Sequence, residues 1–201
     1  MNNQYEEAYR GEKYYWGKSP SRYAYKVLEL MPPDRPLKLL VIGCGEGRNA
    51  VFFARNGYQV TACDLSPSGL KKTERYAKEI GVEIRLFEAN ILEYRLDEPF
   101  DILFASGVLH YIPEELRAPI LSDYKRHTNR NGLHVFNVFV KKPFIEKASD
   151  SEATAHDWIS GELFTHYHDW LIEECEEVIF DCMSGGVPHK HAMDCIIARK
   201  P

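Results

Sequence analysis

Long apolar runs are missing from this chain. None of them approaches the roughly 18–20 residues that a membrane span needs. The opening stretch, MNNQYEEAYRGEKYYWGK, has no apolar h-region, so no secretory signal is expected. Basic charge is not in surplus either. The 25 Lys and Arg stand against 30 Asp and Glu, a net charge of −5, which argues against a nucleic-acid backbone as the main partner. The five cysteines (Cys44, Cys63, Cys175, Cys182, Cys195) include no C-x-x-C pair. Three of them lie in strand-like runs, so they read as reduced thiols of a cytoplasmic protein and not as a disulfide framework. There is no internal repeat and no low-complexity tract. A chain of 201 residues, 44% hydrophobic, buries a full core without staples and suits one domain.

What is present is an alternation of strands and helices. Residues 37–42 (LKLLVI) are continuously apolar, as in a strand buried on both faces. Residues 47–56 then read as a helix ended at Gly57, and 59–63 as a second strand. A helix enters through Ser66-Pro67 and stops at Gly81. Strands follow at 82–88, 100–105 and 133–140, with a helix from Pro113 to about Thr128 that Pro119 is expected to bend or break. Asn131-Gly132 reads as the turn before the fifth strand.

After residue 140 the pattern changes to a polar, aromatic, irregular stretch over 141–170. Residues 174–182 and 192–199 are separated only by a loop, which predicts an antiparallel hairpin at the end of the sheet. Residues 1–30 add a helix (Arg22 to Met31) and a loop over the strand ends, with Pro32-Pro33 closing that helix. The expectation is an α/β, Rossmann-like, doubly wound and mostly parallel seven-stranded sheet with a C-terminal antiparallel hairpin. It forms a single domain over 1–201: an N-terminal helix and lid (1–36), a cofactor-binding core (37–140), and a substrate-side segment with the hairpin (141–201).

In such a sheet the ligand lies beyond the carboxyl ends of the strands, here against Gly43–Gly47. The glycine spacing is G-x-G-x-G, and Arg48 stands where a dinucleotide motif places its third glycine. Glu46 would also lie close to a pyrophosphate, so the loop suits a ligand without phosphates. Asp64 ends the second strand, 21 positions after Gly43, where a carboxylate accepts from a ribose diol. After the third strand, Asn90 can accept from an adenine amino group, with Leu65 and Ile91 on the two ring faces. Together these describe a site for adenosine carrying a non-phosphate tail. Each residue also has a plainer role: Asp64 as a cap for the helix near Ser66, Asn90 as a turn residue.

This assembly resembles the class I S-adenosylmethionine-dependent methyltransferases over roughly residues 37–140 plus the hairpin. The resemblance implies that Gly43, Cys44 and Gly45 line the methionine end, that Asp64 takes the ribose, and that Asn90 and Ile91 meet the adenine. Ser106 is then beside the methionine tail. Two positions depart from the superfamily pattern. Val41 stands where an acid usually precedes the glycines, and Asn90 stands where Asp is usual.

Methyl transfer needs alignment and water exclusion more than acid–base chemistry. The aromatic cluster Tyr14, Tyr15 and Trp16 is one candidate, because aromatic faces stabilise a sulfonium; Tyr14 and Trp16 are taken as cofactor contacts. The alternative is packing of the N-terminal segment. His110 and Tyr111 follow the fourth strand and are expected to point into the cleft; the alternative is packing at a helix entry. His189, Lys190 and His191, placed in the hairpin loop, are expected to orient an anionic or oxygen-bearing acceptor. His166-x-His168 and His189-x-His191 match no recognised ligand spacing, so no metal is expected.

The YYWG run with a following Ser-Pro, the GCGEGRNAVFFARNGYQVTACDLS stretch, and a hairpin with His189 beside Lys190 are similar to the tellurite-resistance methyltransferase group. That resemblance implies a small-molecule acceptor such as a soft tellurium or selenium oxyanion or a thiol, with no nucleic acid and no membrane involved. Where that group carries Arg after the His, this chain has Lys190, which loses bidentate oxyanion geometry. Two other function classes stand beside this reading: a nicotinamide-dependent oxidoreductase and a non-catalytic nucleoside-binding module.

Overall fold

The computed structural model describes residues 4–146, 156, 158–183 and 187–201. Parts of the expected irregular stretch and of the hairpin loop (147–155, 157 and 184–186) lie outside the described residues. Two short helices, α1 (Gln4–Arg10) and α2 (Arg22–Leu30), precede the alternating core. The core runs β1 (Lys38–Ile42), α3 (Arg48–Arg55), β2 (Gln59–Asp64), α4 (Pro67–Ile80), β3 (Arg85–Glu88), β4 (Phe100–Ala105), α5 (Glu114–Arg126) and β5 (Thr128–Val140). A single helical turn, α6 (Glu162–Thr165), leads to β6 (Leu171–Cys182) and β7 (His189–Arg199).

The seven strands form one sheet in the order β3-β2-β1-β4-β5-β7-β6. The pairs among β1 to β5 are parallel, and β7 is antiparallel to both β5 and β6. The order reverses between β1 and β4, so the switch-point crevice opens at the end of β1, at the glycine loop. The apolar run of β1 is explained by burial on both faces. Leu39 and Val41 pack with Tyr23, Ala24, Val27, Ala50 and Phe53 of α2 and α3. Leu40 and Ile42 pack with Ile120, Leu121 and Tyr124 of α5 and with Trp158, Leu163 and Tyr167. Successive strand residues point to opposite faces, so one short strand serves two cores.

The sequence expectations need five corrections. Helix α1 was not anticipated. Helix α5 runs through Pro119, because the carbonyl that the missing N–H would serve belongs to exposed Glu115 and is left to solvent. β3 begins at Arg85 and not at 82, because Gly81 (φ 78°) and the Val82 N–H bond to Ala77 still belong to the end of α4. Asn131-Gly132 is not a turn before a strand. It is an irregularity inside β5, with Asn131 at φ 63° and both residues bonded to Lys200 beyond β7. His189–His191 are not in the hairpin loop but start β7, facing Phe180–Cys182.

Candidate functional site

The loop Gly43–Gly47 leaves β1 and enters α3 with φ of 65°, 55° and 89° at its three glycines, values that L side chains rarely adopt. Close packing adds a second requirement. A Cβ at Gly43 would lie 2.6 Å from Val108 Cγ2, and one at Gly47 would lie 2.7 Å from the Thr73 side chain. The loop is tied to β2 by a bond from the Cys44 N–H to the Cys63 carbonyl, 2.9 Å. Cys44 itself is buried, and burial pushes its thiol up, so it serves as packing and not as a nucleophile. Val41 is buried in the core and offers no charge to the loop.

Asp64 ends β2 facing this loop. Its Oδ2 accepts from the Gly45 N–H at 2.7 Å and its Oδ1 from the Ser66 N–H at 2.8 Å. Burial raises the carboxyl above the usual range, and backbone N–H groups of Ser66, Gly45 and Leu65 oppose that rise. The capping role expected for this carboxylate is present, and a carboxylate with about four acceptor positions keeps capacity beyond it. Leu65 is half-buried beside it. Beyond β3, the Asn90 Oδ1 accepts from the Leu92 N–H at 3.1 Å and its Nδ2 donates to Glu93, which makes an Asx turn. Ile91 is buried under this turn. After β4, Asn137 on β5 holds the next loop. Its Oδ1 accepts from the Gly107 N–H at 2.8 Å and its Nδ2 donates to Ser106 Oγ at 3.1 Å.

Helix α1 covers the glycine loop. Tyr9 is buried, and its hydroxyl lies 2.9 Å from where a Gly45 Cβ would sit. That hydroxyl accepts from Trp16 Nε1 at 3.1 Å, and burial beside Asp64 pushes its pKa up, so it stays neutral. Tyr5, Tyr9, Tyr15 and Trp16 pack into one aromatic cap, Tyr5 stacked on Tyr9 and the other pairs edge to face. Glu6 ties α1 to the start of α4, accepting from Ser66 Oγ at 2.5 Å and from Ser68 Oγ at 2.6 Å. Trp16 is thus part of the cap. Tyr14 is not: it packs on Tyr76, and its hydroxyl donates to the Lys72 carbonyl. Glu46 also differs from expectation. It faces buried Lys72 at 2.6 Å, and so bears on the fold of the loop and not on a ligand's charge.

His110 and Tyr111 lie in a 3-10 turn (Leu109–Tyr111), both buried, with ring centroids 4.3 Å apart. Phe139 links this turn to β7, at 4.7 Å from His110 and 4.8 Å from His191. His189 and His191 share one face of β7, while Lys190 points to the other and bonds exposed Asp181 at 2.7 Å. The structure does not bring Lys190 to His189, against the sequence expectation. Sequence reasoning missed Glu6, Tyr9, Phe139 and Asn137. Only Asn137 had a signal, an amide inside the apolar run LHVFNVFV.

The glycine cradle, the switch-point crevice and a carboxylate with spare acceptor capacity fit an adenosyl group with a phosphate-free tail. Residues 39–132 match a family model described as a methyltransferase domain. The topology is the fold of class I S-adenosylmethionine-dependent methyltransferases, and the matched domain is similar to theirs; structures of the same fold hold S-adenosyl-L-methionine or S-adenosylhomocysteine.

Within the class the chain resembles the TehB group. It is 26% identical over 144 residues to the probable S-adenosyl-L-methionine-dependent methyltransferase TehB of Haemophilus influenzae, covering 71% of this chain and 49% of that protein. The crystal structure of TehB from Haemophilus influenzae superposes with a TM-score of 0.79 at 20% identity, covering 98% of this chain and 66% of that one. Hemagglutinin 1 of Eikenella corrodens is 28% identical over 178 residues, 87% of this chain and 58% of that protein. The chain spans about half the length of the curated relatives it matches. Among the described residues no helix is long and apolar enough to cross a membrane.

Proposed function

We propose that this protein transfers a methyl group from S-adenosyl-L-methionine to a small, soft nucleophile, a chalcogen oxyanion or a thiol. Asp64 carries the reading: a buried carboxylate at the switch point, its inner lone pairs taken by Gly45 and Ser66, its remaining capacity directed to a diol. The cofactor supplies an electrophilic methyl on a sulfonium that is already a good leaving group. The chain's own residues bind, orient and exclude water. Gly43 and Gly45 let the ligand approach the backbone, and Asn90 and Ile91 border the purine position. Ser106, held by Asn137, borders the tail. The cap of Tyr5, Tyr9, Tyr15 and Trp16 keeps water from the loop and offers ring faces to a cation.

His110, Tyr111 and His191 line the acceptor side, joined through Phe139, with His189 beyond them. The acidic balance and the similarity to TehB favour a small molecule over a nucleic acid. In domain terms, 1–36 is lid, 37–140 cofactor core and 141–201 acceptor side. The test is transfer of a labelled methyl group to a panel of tellurite, selenite and small thiols, with S-adenosylhomocysteine measured as co-product. Stoichiometric product with at least one of these is expected. Cofactor binding without turnover on the whole panel would refute the acceptor class. Absence of cofactor binding would refute the site.

A further inference from the structure

The hairpin sets a thiol, Cys182, against His189 and His191, the two histidines at the edge of the proposed acceptor side. Cys182 ends β6 directly opposite His189 on β7, and His191 lies two residues further along. Cross-strand partners share a face, and so do residues i and i+2. The three side chains therefore stand together, their ligand atoms all within 4.8 Å of one another. The two imidazole rings are nearly perpendicular, at 88°, and their Nε2 atoms are 2.9 Å apart. His189 Nδ1 lies 2.7 Å from the Val187 carbonyl. A carbonyl only accepts, so Nδ1 carries the proton and His189 Nε2 presents a lone pair. This is the outer-shell arrangement that orients metal-bound histidines. The His191 ring is held beside Phe139 at 4.8 Å and Phe180 at 5.8 Å, an apolar wall behind the donors.

We propose that Cys182 Sγ, His189 Nε2 and His191 Nε2 form a site for a thiophilic divalent metal ion of the zinc class. A tetrahedral zinc with bonds of about 2.05 Å to nitrogen and 2.3 Å to sulfur sets donors about 3.3 Å (N to N) and 3.6 Å (S to N) apart. The nitrogens need to part by a few tenths of an ångström, and the sulfur to close by about an ångström or less. On binding, the Cys182 thiol releases one proton to solvent. His191 exchanges its Nε2 proton for one on Nδ1, and no redox change is involved. The three described donors supply three corners of the tetrahedron, and the fourth falls to a ligand outside this trio. The pattern H-x-H alone did not disclose the site, because the third donor comes across the β6–β7 ladder. Lys190 and Asp181, on the opposite face, neutralise each other and take no part.

The test uses the full chain, reduced and stripped of metal, with cobalt(II) as the probe. One equivalent is expected to bind with a thiolate-to-cobalt charge-transfer band and ligand-field bands of tetrahedral intensity. Cys182→Ser abolishes the charge-transfer band and weakens binding by more than the roughly 10–100-fold typical for loss of an outer-shell partner. Cys175→Ser, on exposed β6, leaves both unchanged. Persistence of the band in Cys182→Ser, or no cobalt or zinc binding by the parent chain at micromolar concentration, overturns the proposal. A readout independent of any variant comes from imidazole nitrogen NMR. Zinc should move the Nε2 resonances of two histidines among the eight in the chain, with the others still. Movement of none, or of all, overturns it equally.

Discussion

Truncating Asp64 to alanine bears on fold and function together. The carboxylate offers about four acceptor positions. Gly45 N–H takes one at 2.7 Å and Ser66 N–H another at 2.8 Å, with the Leu65 N–H also directed at the group, which leaves about one to two for a ribose diol. In the free protein, Asp64→Ala orphans both N–H groups, each bond to a charged acceptor being worth about 1.5–3 kcal/mol. Relief of a buried charge counts the other way, since burial already raises this carboxyl's pKa. A net stability loss of about 1–3 kcal/mol is expected. Loss of the bonding to the diol adds about 1–3 kcal/mol on the ligand side, a 5- to 150-fold weaker Kd for S-adenosylhomocysteine. Isothermal titration measures the second quantity and chemical denaturation the first. Asp64→Asn separates them, because it keeps the size and one acceptor but faces an amide N–H toward a backbone N–H. A folded Asp64→Ala variant with parental affinity would refute the assignment of the diol to this carboxylate.

Two further expectations concern groups the fold hides. Lys72→Met leaves Glu46 buried without its cation and should cost about 3–5 kcal/mol in denaturant titration, most of it restored by adding Glu46→Gln. His134 is fully buried between the Thr128 and Tyr167 hydroxyls, and burial together with Lys125 and Lys200 holds its pKa well below the ordinary value. The unfolded chain then binds a proton that the native state does not. His134 therefore adds stability above about pH 6.5 that falls by about 1.4 kcal/mol per unit as pH drops below that value. Denaturation at pH 7 and pH 5 should show that slope attenuated in His134→Gln; equal slopes would contradict it.

Much of the local frame of the candidate site was legible in the chain itself. A buried parallel strand needs a continuous apolar run, a tight exit needs glycine, and a strand-end carboxylate needs only its place in the order of elements. Those are local or nearly local demands, and Gly43, Gly45, Asp64 and Ile91 satisfy them within a stretch of about fifty residues. Tyr14 and Lys190 were misplaced for the opposite reason. Tyr14 is steered by Tyr76 and Lys72 on α4, and Lys190 by the face that β7 assigns it, neither of which composition or spacing expresses.

The sequence by itself determined the alternating sheet, the glycine exit and the acidic residue that waits beyond it, because backbone periodicity and turn chemistry are written residue by residue. Only the tertiary structure decided that α1 folds over Gly45, that Glu46 turns to Lys72, and that Cys182 meets His189 and His191. Those contacts join residues tens of positions apart or paired across a ladder, and they exist only once strand register and helix packing have been fixed.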